Sequence, residues 1–378
     1  MQGGMKMGSR VSMLLKGATV AAFASLLALG LWAQAPEGPQ TGGAPPPAAA
    51  PPAPAPKQYP DQQKPQESGA TIAVQVPVVT VDVIATTQHG DLLTGLKKEN
   101  FRVLEDGQPQ PISSVGPSDA PITMVVLMEF SSRGLYQWFA YEAKYWAEAL
   151  FPNLNAKDWV ALVTFDMRTH IDVDFTQNKD EVRQAVYNLY FPGFSESNVF
   201  DAILEMSDRL KDVKGKKCIL VLATGVDTFS KHTLDQTLKQ LRGTDVPIFA
   251  VGLDKPYVNW MQLNGLMGVG GMRELNYIQA ENQLKTFSQM TGGFSWFPQF
   301  DGEIPGIFRQ VAEYLRHQYT ITYTPTNTAA DGKFRKIKVE LTAPDGSPLT
   351  VTDQKGKKQK WVVYAKEGYT APKGGVGD

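Results

Sequence analysis

The chain has 378 residues, with 37 basic and 38 acidic side chains and a formal net charge of −1. This length is typical of roughly two domains of about 150 residues each. The balanced charge gives no basic excess, which argues against nucleic acid or an anionic membrane surface as a partner. The single cysteine, Cys218, excludes an intrachain disulfide, and the four histidines are scattered without metal-ligand spacing.

Residues 1–35 have the pattern of an export signal. Lys6, Arg10 and Lys16 precede an uncharged apolar segment, GATVAAFASLLALGLWA, and small residues follow it. This order of basic, apolar and small residues is typical of a signal peptide. The apolar segment is also nearly long enough to span a bilayer, so an uncleaved N-terminal anchor is the alternative. In both cases we expect the rest of the chain to be exported to the periplasm, the cell envelope or the medium, with membrane contact only through an uncleaved anchor.

Residues 36–70 consist largely of proline, alanine, glutamine and glycine, as in GAPPPAAAPPAPAPKQYP. Such a segment has too little apolar surface to offset the entropy cost of folding. Its proline content favours extended polyproline II, so we expect a disordered, semi-rigid linker. A ligand for a proline-binding module is the alternative.

Two flanking segments, residues 71–118 and 319–372, are predicted to be all-β. The first contains IAVQVPVVTVDVIATT and FRVL, and the second contains YTITYTP, FRKIKVEL and WVVYA, with turn residues between the runs. Neither flank has enough strands for a stable sandwich. We therefore expect both flanks to form one small β domain, with a disordered tail at 373–378.

Residues 119–318 alternate apolar strand runs with helical periodicity. The pattern predicts strands at 123–129, 159–165, 217–223 and 246–253, and helices at 135–150, 179–190, 199–211, 233–242, 281–291 and 303–316. Alternation of this kind indicates a doubly wound, mostly parallel sheet with helices on both faces. The predicted fold is thus an α/β domain of Rossmann-like type inserted into the small β domain.

Three polar segments are expected to meet at the carboxyl ends of the strands, where doubly wound sheets bind ligands. They are 129–133 (EFSSR), 195–198 (SESN) and 223–228 (ATGVDT). Their order and spacing resemble those of a von Willebrand factor A domain, a family that builds a metal-ion-dependent adhesion site from an Asp-x-Ser-x-Ser loop, a threonine and a later aspartate.

A closer resemblance is to the VWFA-related Acidobacterial domain family. It rests on GDLLTGLKKENFRVLEDGQPQPI before the first α/β strand, on SNVFDAI and VDTFS within the domain, and on QYTITYTP and DGKFRKIKVEL near the end. The resemblance covers about residues 71 to 372. It implies a von Willebrand A fold and says little about function.

The metal site that the resemblance implies is only partly kept. Glu129 replaces the first aspartate, Ser131 keeps the first serine, and Arg133 replaces the second serine. Ser197 stands for the threonine, and Thr224 removes the later carboxylate. Mg²⁺ needs close oxygen ligands in octahedral geometry, and Arg133 adds a like charge. We therefore expect a degenerate site, with Glu129, Ser131 and Ser197 as the remaining metal-ligand candidates and no cofactor required.

Arg133 has two alternative roles. Its guanidinium can pair with Glu129 and order the loop as a built-in cation, or it can point to solvent. Both alternatives stay open at the level of sequence.

The predicted function is protein–protein interaction outside the cytoplasm, without catalysis. We expect binding through loops 130–136, 193–199, 224–232 and 256–273, with Arg133, Thr224 and Asp227 as candidate contact residues. One alternative is a hydrolase that uses Asp227, Ser195 or Ser197 with His232 as the nearby histidine. Another is a structural envelope protein that needs no ligand.

Overall fold

The computed structural model describes residues 78–117, 120–131, 135–189, 193–265, 272–353 and 355–373. The predicted signal segment 1–35, the linker 36–70 and Arg133 lie outside the described residues. None of the described helices is long and apolar enough to cross a membrane.

The strands and helices follow one another in chain order. The first flank contains strands β1 (Val79–Thr87), β2 (Phe101–Glu105), β3 (Gln108–Gln110) and β4 (Ile112–Pro117). The α/β part contains strands β5 (Ile122–Glu129), β6 (Trp159–Phe165), β7 (Thr169–Thr176), β8 (Lys216–Ala223), β9 (Ile248–Gly252) and β10 (Ser295–Trp296). Its helices are α1 (Leu135–Leu150), α2 (Lys179–Tyr187), α3 (Val199–Leu210), α4 (Leu234–Leu241), α5 (Asp254–Leu263), α6 (Met272–Thr291) and α7 (Ile304–Arg316). The second flank contains β11 (Tyr319–Tyr323), β12 (Phe334–Leu341), β13 (Val351–Thr352), β14 (Lys358–Gln359), β15 (Trp361–Ala365) and β16 (Gly368–Thr370).

The central sheet has six strands in the order β10-β9-β8-β5-β6-β7. All neighbouring pairs are parallel except β6 and β7. Every residue of β5 and β8 is buried, as expected for strands covered by helices on both faces. The prediction of a doubly wound, mostly parallel sheet is therefore confirmed.

Two helical layers cover this sheet. Helices α1, α2, α5 and α7 share one apolar core, which includes Trp138, Val182, Tyr257 and Phe308. Helices α3, α4 and α6 share the core on the other face. Helix α4 begins at a capping box, in which the Thr233 hydroxyl accepts a hydrogen bond from the Gln236 N–H and Gln236 Oε1 accepts one from the Thr233 N–H.

Four elements of this part differ from the sequence prediction, and the two-residue strand β10, which was not predicted, is one of them. Strand β7 was not predicted, because its outer side chains are exposed and mask the apolar alternation. Helix α5 was also missed, and Pro256 near its start interrupts the helical pattern. Helix α6 begins at Met272 rather than near 281.

Both flanks contribute to each of two further four-stranded sheets. One has the order β15-β1-β11-β4 and the other has the order β16-β12-β2-β3, while β13 and β14 form a small hairpin. The core between these sheets includes Val81, Val103, Ile321 and Val339. The α/β part is thus inserted in a β sandwich that neither flank could form alone.

Two glycines at the end of α6 allow the sandwich to approach the central sheet. Gly292 has a φ of +82°, and a Cβ atom there would lie 2.6 Å from the backbone nitrogen of Lys366. A Cβ atom on Gly293 would lie 2.0 Å from the Ile248 carbonyl oxygen. Contacts under 3.0 Å essentially do not occur for real Cβ atoms. The chain therefore requires glycine here to bring the ends of α6, β9 and β15 together.

Candidate interaction site

Glu129 and Thr224 form the centre of the site. Glu129 ends β5 and Thr224 directly follows β8, and these strands are neighbours in the central sheet. Both the backbone N–H and the hydroxyl of Thr224 donate to Oε2 of Glu129, at 2.7 and 2.8 Å. Both side chains are buried. Thr224 therefore supplies two hydrogen-bond donors to one oxygen of the Glu129 carboxylate.

Two serine hydroxyls lie buried at the same edge of the sheet. Ser131 is 0% exposed and Ser197 is 2% exposed. Neither Oγ atom has a hydrogen-bond partner among the described residues. Buried polar atoms are normally paired, so these two hydroxyls have unused hydrogen-bonding capacity within the described part of the site.

Asp166 organises the neighbouring loop and was not singled out from the sequence. It is buried directly after β6. Its carboxylate accepts hydrogen bonds from the Arg168 N–H at 2.9 Å and from the Phe194 N–H at 3.2 Å, and His170 Nε2 lies 3.3 Å away. The Asn198 N–H donates to the Asp166 carbonyl at 2.9 Å. An aspartate immediately after an apolar strand was the available signal.

The loop after β8 is fixed to the start of α3. The Ser197 carbonyl accepts hydrogen bonds from the Thr228 N–H at 2.8 Å and from the Phe229 N–H at 3.0 Å. The Ser197 N–H in turn donates to the Thr228 hydroxyl at 2.9 Å. Loops 193–199 and 224–232 therefore form one connected unit, defined here as the paired loops.

Asp227 has a structural role within the paired loops. It accepts hydrogen bonds from the Ser230 hydroxyl at 2.5 Å and from the Phe200 N–H at 3.4 Å. The second bond reaches the first turn of α3, where a carboxylate is favoured by unpaired N–H groups. Burial raises the pKa of Asp227, although these hydrogen bonds oppose the rise. The Asp227 carboxylate, which was predicted to contact a partner, is therefore already engaged in these internal hydrogen bonds.

Asp201 is a second anchor that the sequence did not reveal. Its carboxylate accepts hydrogen bonds from the Lys231 N–H at 2.8 Å and from the His232 N–H at 3.1 Å, and His232 Nδ1 lies 2.7 Å from Oδ1. Burial alone would raise the pKa of Asp201, but these hydrogen bonds outweigh burial, and the net pKa is lowered.

Replacement Asp201→Asn is therefore expected to destabilise the fold in a pH-dependent way. A carboxyl group with a lowered folded-state pKa contributes stability above its unfolded pKa of about 3.9, and this contribution is lost as the pH falls through the folded-state value. Urea denaturation across this pH range should show a difference in unfolding free energy between wild type and variant, and this difference should become smaller as the solution is acidified. The exposed Asp212→Asn variant serves as the control. A gap that stays constant with pH would contradict this role.

The described residues alone do not supply a complete Mg²⁺ ligand set. Among the described residues, no group of three His, Cys, Asp or Glu side chains could hold a metal ion. Thr224 supplies hydrogen-bond donors where the family has a carboxylate. The serine hydroxyls fit a cation, but with a single carboxylate beside them they form an incomplete ligand set. The Glu129–Arg133 pair stays a prediction, because Arg133 lies outside the described residues.

One predicted binding loop is wrong in part. Residues 254–263 of the segment predicted as loop 256–273 form α5, and α6 begins at Met272. Residues 266–271 lie outside the described residues.

The residues of the hydrolase alternative are not assembled. The Ser195 hydroxyl donates to Glu196 at 3.1 Å, and His232 is bound to Asp201. Within the described part of the chain, Ser197 Oγ has no hydrogen bond to a base. A nucleophile requires such a neighbour, so the geometry gives no support to this chemistry.

The fold and the arrangement of the strand-end loops define a von Willebrand A-type α/β domain. Residues 124–290 match the von Willebrand factor type A domain family. This chain therefore contains a von Willebrand factor type A domain. The more specific VWFA-related Acidobacterial family stays a prediction. No curated protein shows significant sequence similarity to the chain.

Several solved structures are similar at low identity. The conserved hypothetical protein BatB from Bacteroides thetaiotaomicron has 15% identity and a TM-score of 0.38, over 51% of this chain and 98% of its own. A von Willebrand factor type A protein from Catenulispora acidiphila has 12% identity and a TM-score of 0.39, over 75% and 73%. Three N-terminal domains of the type V pili tip protein Mfa5 from Porphyromonas gingivalis have 11% identity and a TM-score of 0.37, over 83% and 67%. At these values the similarity carries no functional argument.

Proposed function

We propose that this chain is an exported protein-interaction module that binds its partner through the paired loops and without a metal ion. Von Willebrand A domains generally mediate protein interactions. The export signal predicted at residues 1–35 supports a partner outside the cytoplasm. The bonding of Glu129 to Thr224 supports recognition that does not depend on Mg²⁺.

A pair of exposed phenylalanines carries this proposal. Phe194 is 37% exposed and Phe229 is 51% exposed, and they lie on the two members of the paired loops. The Arg168 guanidinium lies 5.7 Å from the centroid of the Phe194 ring. Aromatic and arginine side chains dominate the binding energy of protein interfaces. The Phe229 N–H donates to the Ser197 carbonyl and the Phe194 N–H donates to Asp166, so the backbone at both aromatic residues needs little ordering on binding.

Replacement Phe229→Ala, alone or with Phe194→Ala, should abolish specific capture of a partner. Removal of a central aromatic anchor typically costs about 2–4 kcal/mol of binding free energy, or about 30-fold or more in affinity. The measurement is capture from the exported protein fraction by the immobilised chain, followed by titration of the captured protein. EDTA should leave the affinity unchanged.

The matched control is Tyr145→Ala on α1, since Tyr145 is 57% exposed and lies outside the paired loops. Loss of capture with Tyr145→Ala alone would place the interface elsewhere. Loss of capture in EDTA would contradict recognition without a metal ion.

A further inference from the structure

A second candidate site lies at the opposite edge of the central sheet. A cavity of about 370 Å³ lies beside the N-terminal ends of β8 and β9, whereas the interaction site lies at the carboxyl ends. Its walls come from both parts of the fold. The sandwich contributes Asp82 and Lys366, and the α/β domain contributes Lys217, Asp245 and Thr291. The volume is in the range of small-molecule sites.

Alternation along β1 directs its polar side chains to this cavity. Thr80 and Asp82 line the cavity, together with Val78 just before the strand, while Val79 and Val81 pack in the sandwich core. One face of the strand therefore carries an ordinary apolar core, and the other face opens on a polar cavity between the two parts of the fold.

Three of the five charged side chains that line the cavity already have a partner within the protein. The Lys217 ammonium group lies 2.9 Å from Asp245 Oδ2 and donates to the Lys211 carbonyl at 2.8 Å. Asp82 accepts a hydrogen bond from the Thr320 hydroxyl at 2.8 Å. The protein itself therefore satisfies part of the hydrogen-bonding capacity of Lys217, Asp245 and Asp82.

Lys366 differs from these residues. Among the described residues its ammonium group has no hydrogen bond and no ion pair, although it lines the cavity. Burial lowers the pKa of Lys366, although Asp245 and Asp82 oppose the fall. Lys366 is only partly exposed, so its unpartnered ammonium group carries a desolvation cost that a bound anion would offset. Lys214 also lines the cavity and adds a further positive charge.

We infer that this cavity binds a small oxyanion of the carboxylate or phosphate class, with Lys366 as the principal ligand-binding residue. The anion would contact the sandwich through Lys366 and the α/β domain through the neighbouring lysines. Binding at this position links the two parts of the fold, so ligand should also raise the thermal stability of the whole chain.

Isothermal titration calorimetry with inorganic phosphate and, separately, with succinate tests this inference. Wild type should bind at least one of the two anions, and the preferred anion identifies the chemical class. Lys366→Gln should weaken binding about tenfold or more, as expected for loss of a charge-assisted hydrogen bond. The matched control is Lys360→Gln, which alters an exposed lysine just before the same strand, β15.

Circular dichroism shows whether Lys366→Gln folds. Two further variants test the inference even if Lys366→Gln has a folding defect. Lys366→Arg should retain binding because it keeps the positive charge. Asp82→Asn should tighten binding several-fold, because it removes a negative charge from the cavity wall. Absence of binding of both anions by wild type would overturn the inference. Equal affinities in wild type, Lys366→Gln and Asp82→Asn would overturn it as well.

Discussion

Replacement of Gly293 by alanine is expected to lower the free energy of unfolding by about 3 kcal/mol or more, which is a large fraction of the stability of a typical domain. The added Cβ atom would lie 2.0 Å from the Ile248 carbonyl oxygen and 3.0 Å from the Ile248 nitrogen. These are backbone atoms at the start of β9, so relief of the steric clash requires movement of β9 itself or of α6. Guanidinium denaturation followed by circular dichroism measures the loss.

Gly306 offers a control for this substitution. It lies in α7, and a Cβ atom there would meet nothing within 4 Å. Gly306→Ala is expected to leave stability unchanged or to raise it by up to about 1 kcal/mol, because alanine favours the helix. Comparable unfolding free energies for the two variants would show that the Gly293 contact relaxes easily and would contradict the expected constraint.

The double variant Arg133→Ser with Thr224→Asp is expected to gain at least about 100-fold in Mg²⁺ affinity over wild type, which corresponds to about 2.7 kcal/mol. The change restores a carboxylate beside Glu129 and removes a like charge from the loop. Each change alters the interaction with a divalent ion by an amount on the order of a few kcal/mol at an effective dielectric constant of about 20. Titration calorimetry of both proteins measures the difference.

The single variants and Thr224→Val complete this comparison. Thr224→Val removes one hydrogen bond to Glu129 without adding a charge, so it should not create a metal site. Tight Mg²⁺ binding by wild type would contradict the proposed metal-free site. No gain in the double variant would show that the Ser131 and Ser197 hydroxyls are not arranged to complete a cation's ligand set.

The sequence predicted the central sheet well for a physical reason. Strands buried on both faces, such as β5 and β8, must be apolar at every position, and this pattern is visible without any knowledge of their neighbours. Strand β7 lies at the edge and is exposed on one side, so its exposed His170 and Asp172 resemble loop residues. The prediction therefore failed where burial was partial.

The roles of polar residues at the site were harder to predict. Asp227 has the chemistry of a ligand-binding residue and equally that of a residue that binds a helix N-terminus. Only the position of Phe200, across from the loop, distinguishes the two roles. Asp166 and Asp201 were missed for the same reason, since their partners are backbone N–H groups that a sequence does not locate.

The pairing of β1 has a consequence for the order of folding. Val83 on β1 pairs with Tyr319 on one side and with Ala365 on the other. During synthesis, β1 is made before the whole α/β part, and both of its partners are made after it. Contacts between such distant segments slow folding, and an unpaired β-branched strand is prone to aggregation in the meantime. In a nascent chain, β1 can therefore be paired on both sides only after the last strands have been made. Truncations that remove β15 should leave one edge of β1 exposed.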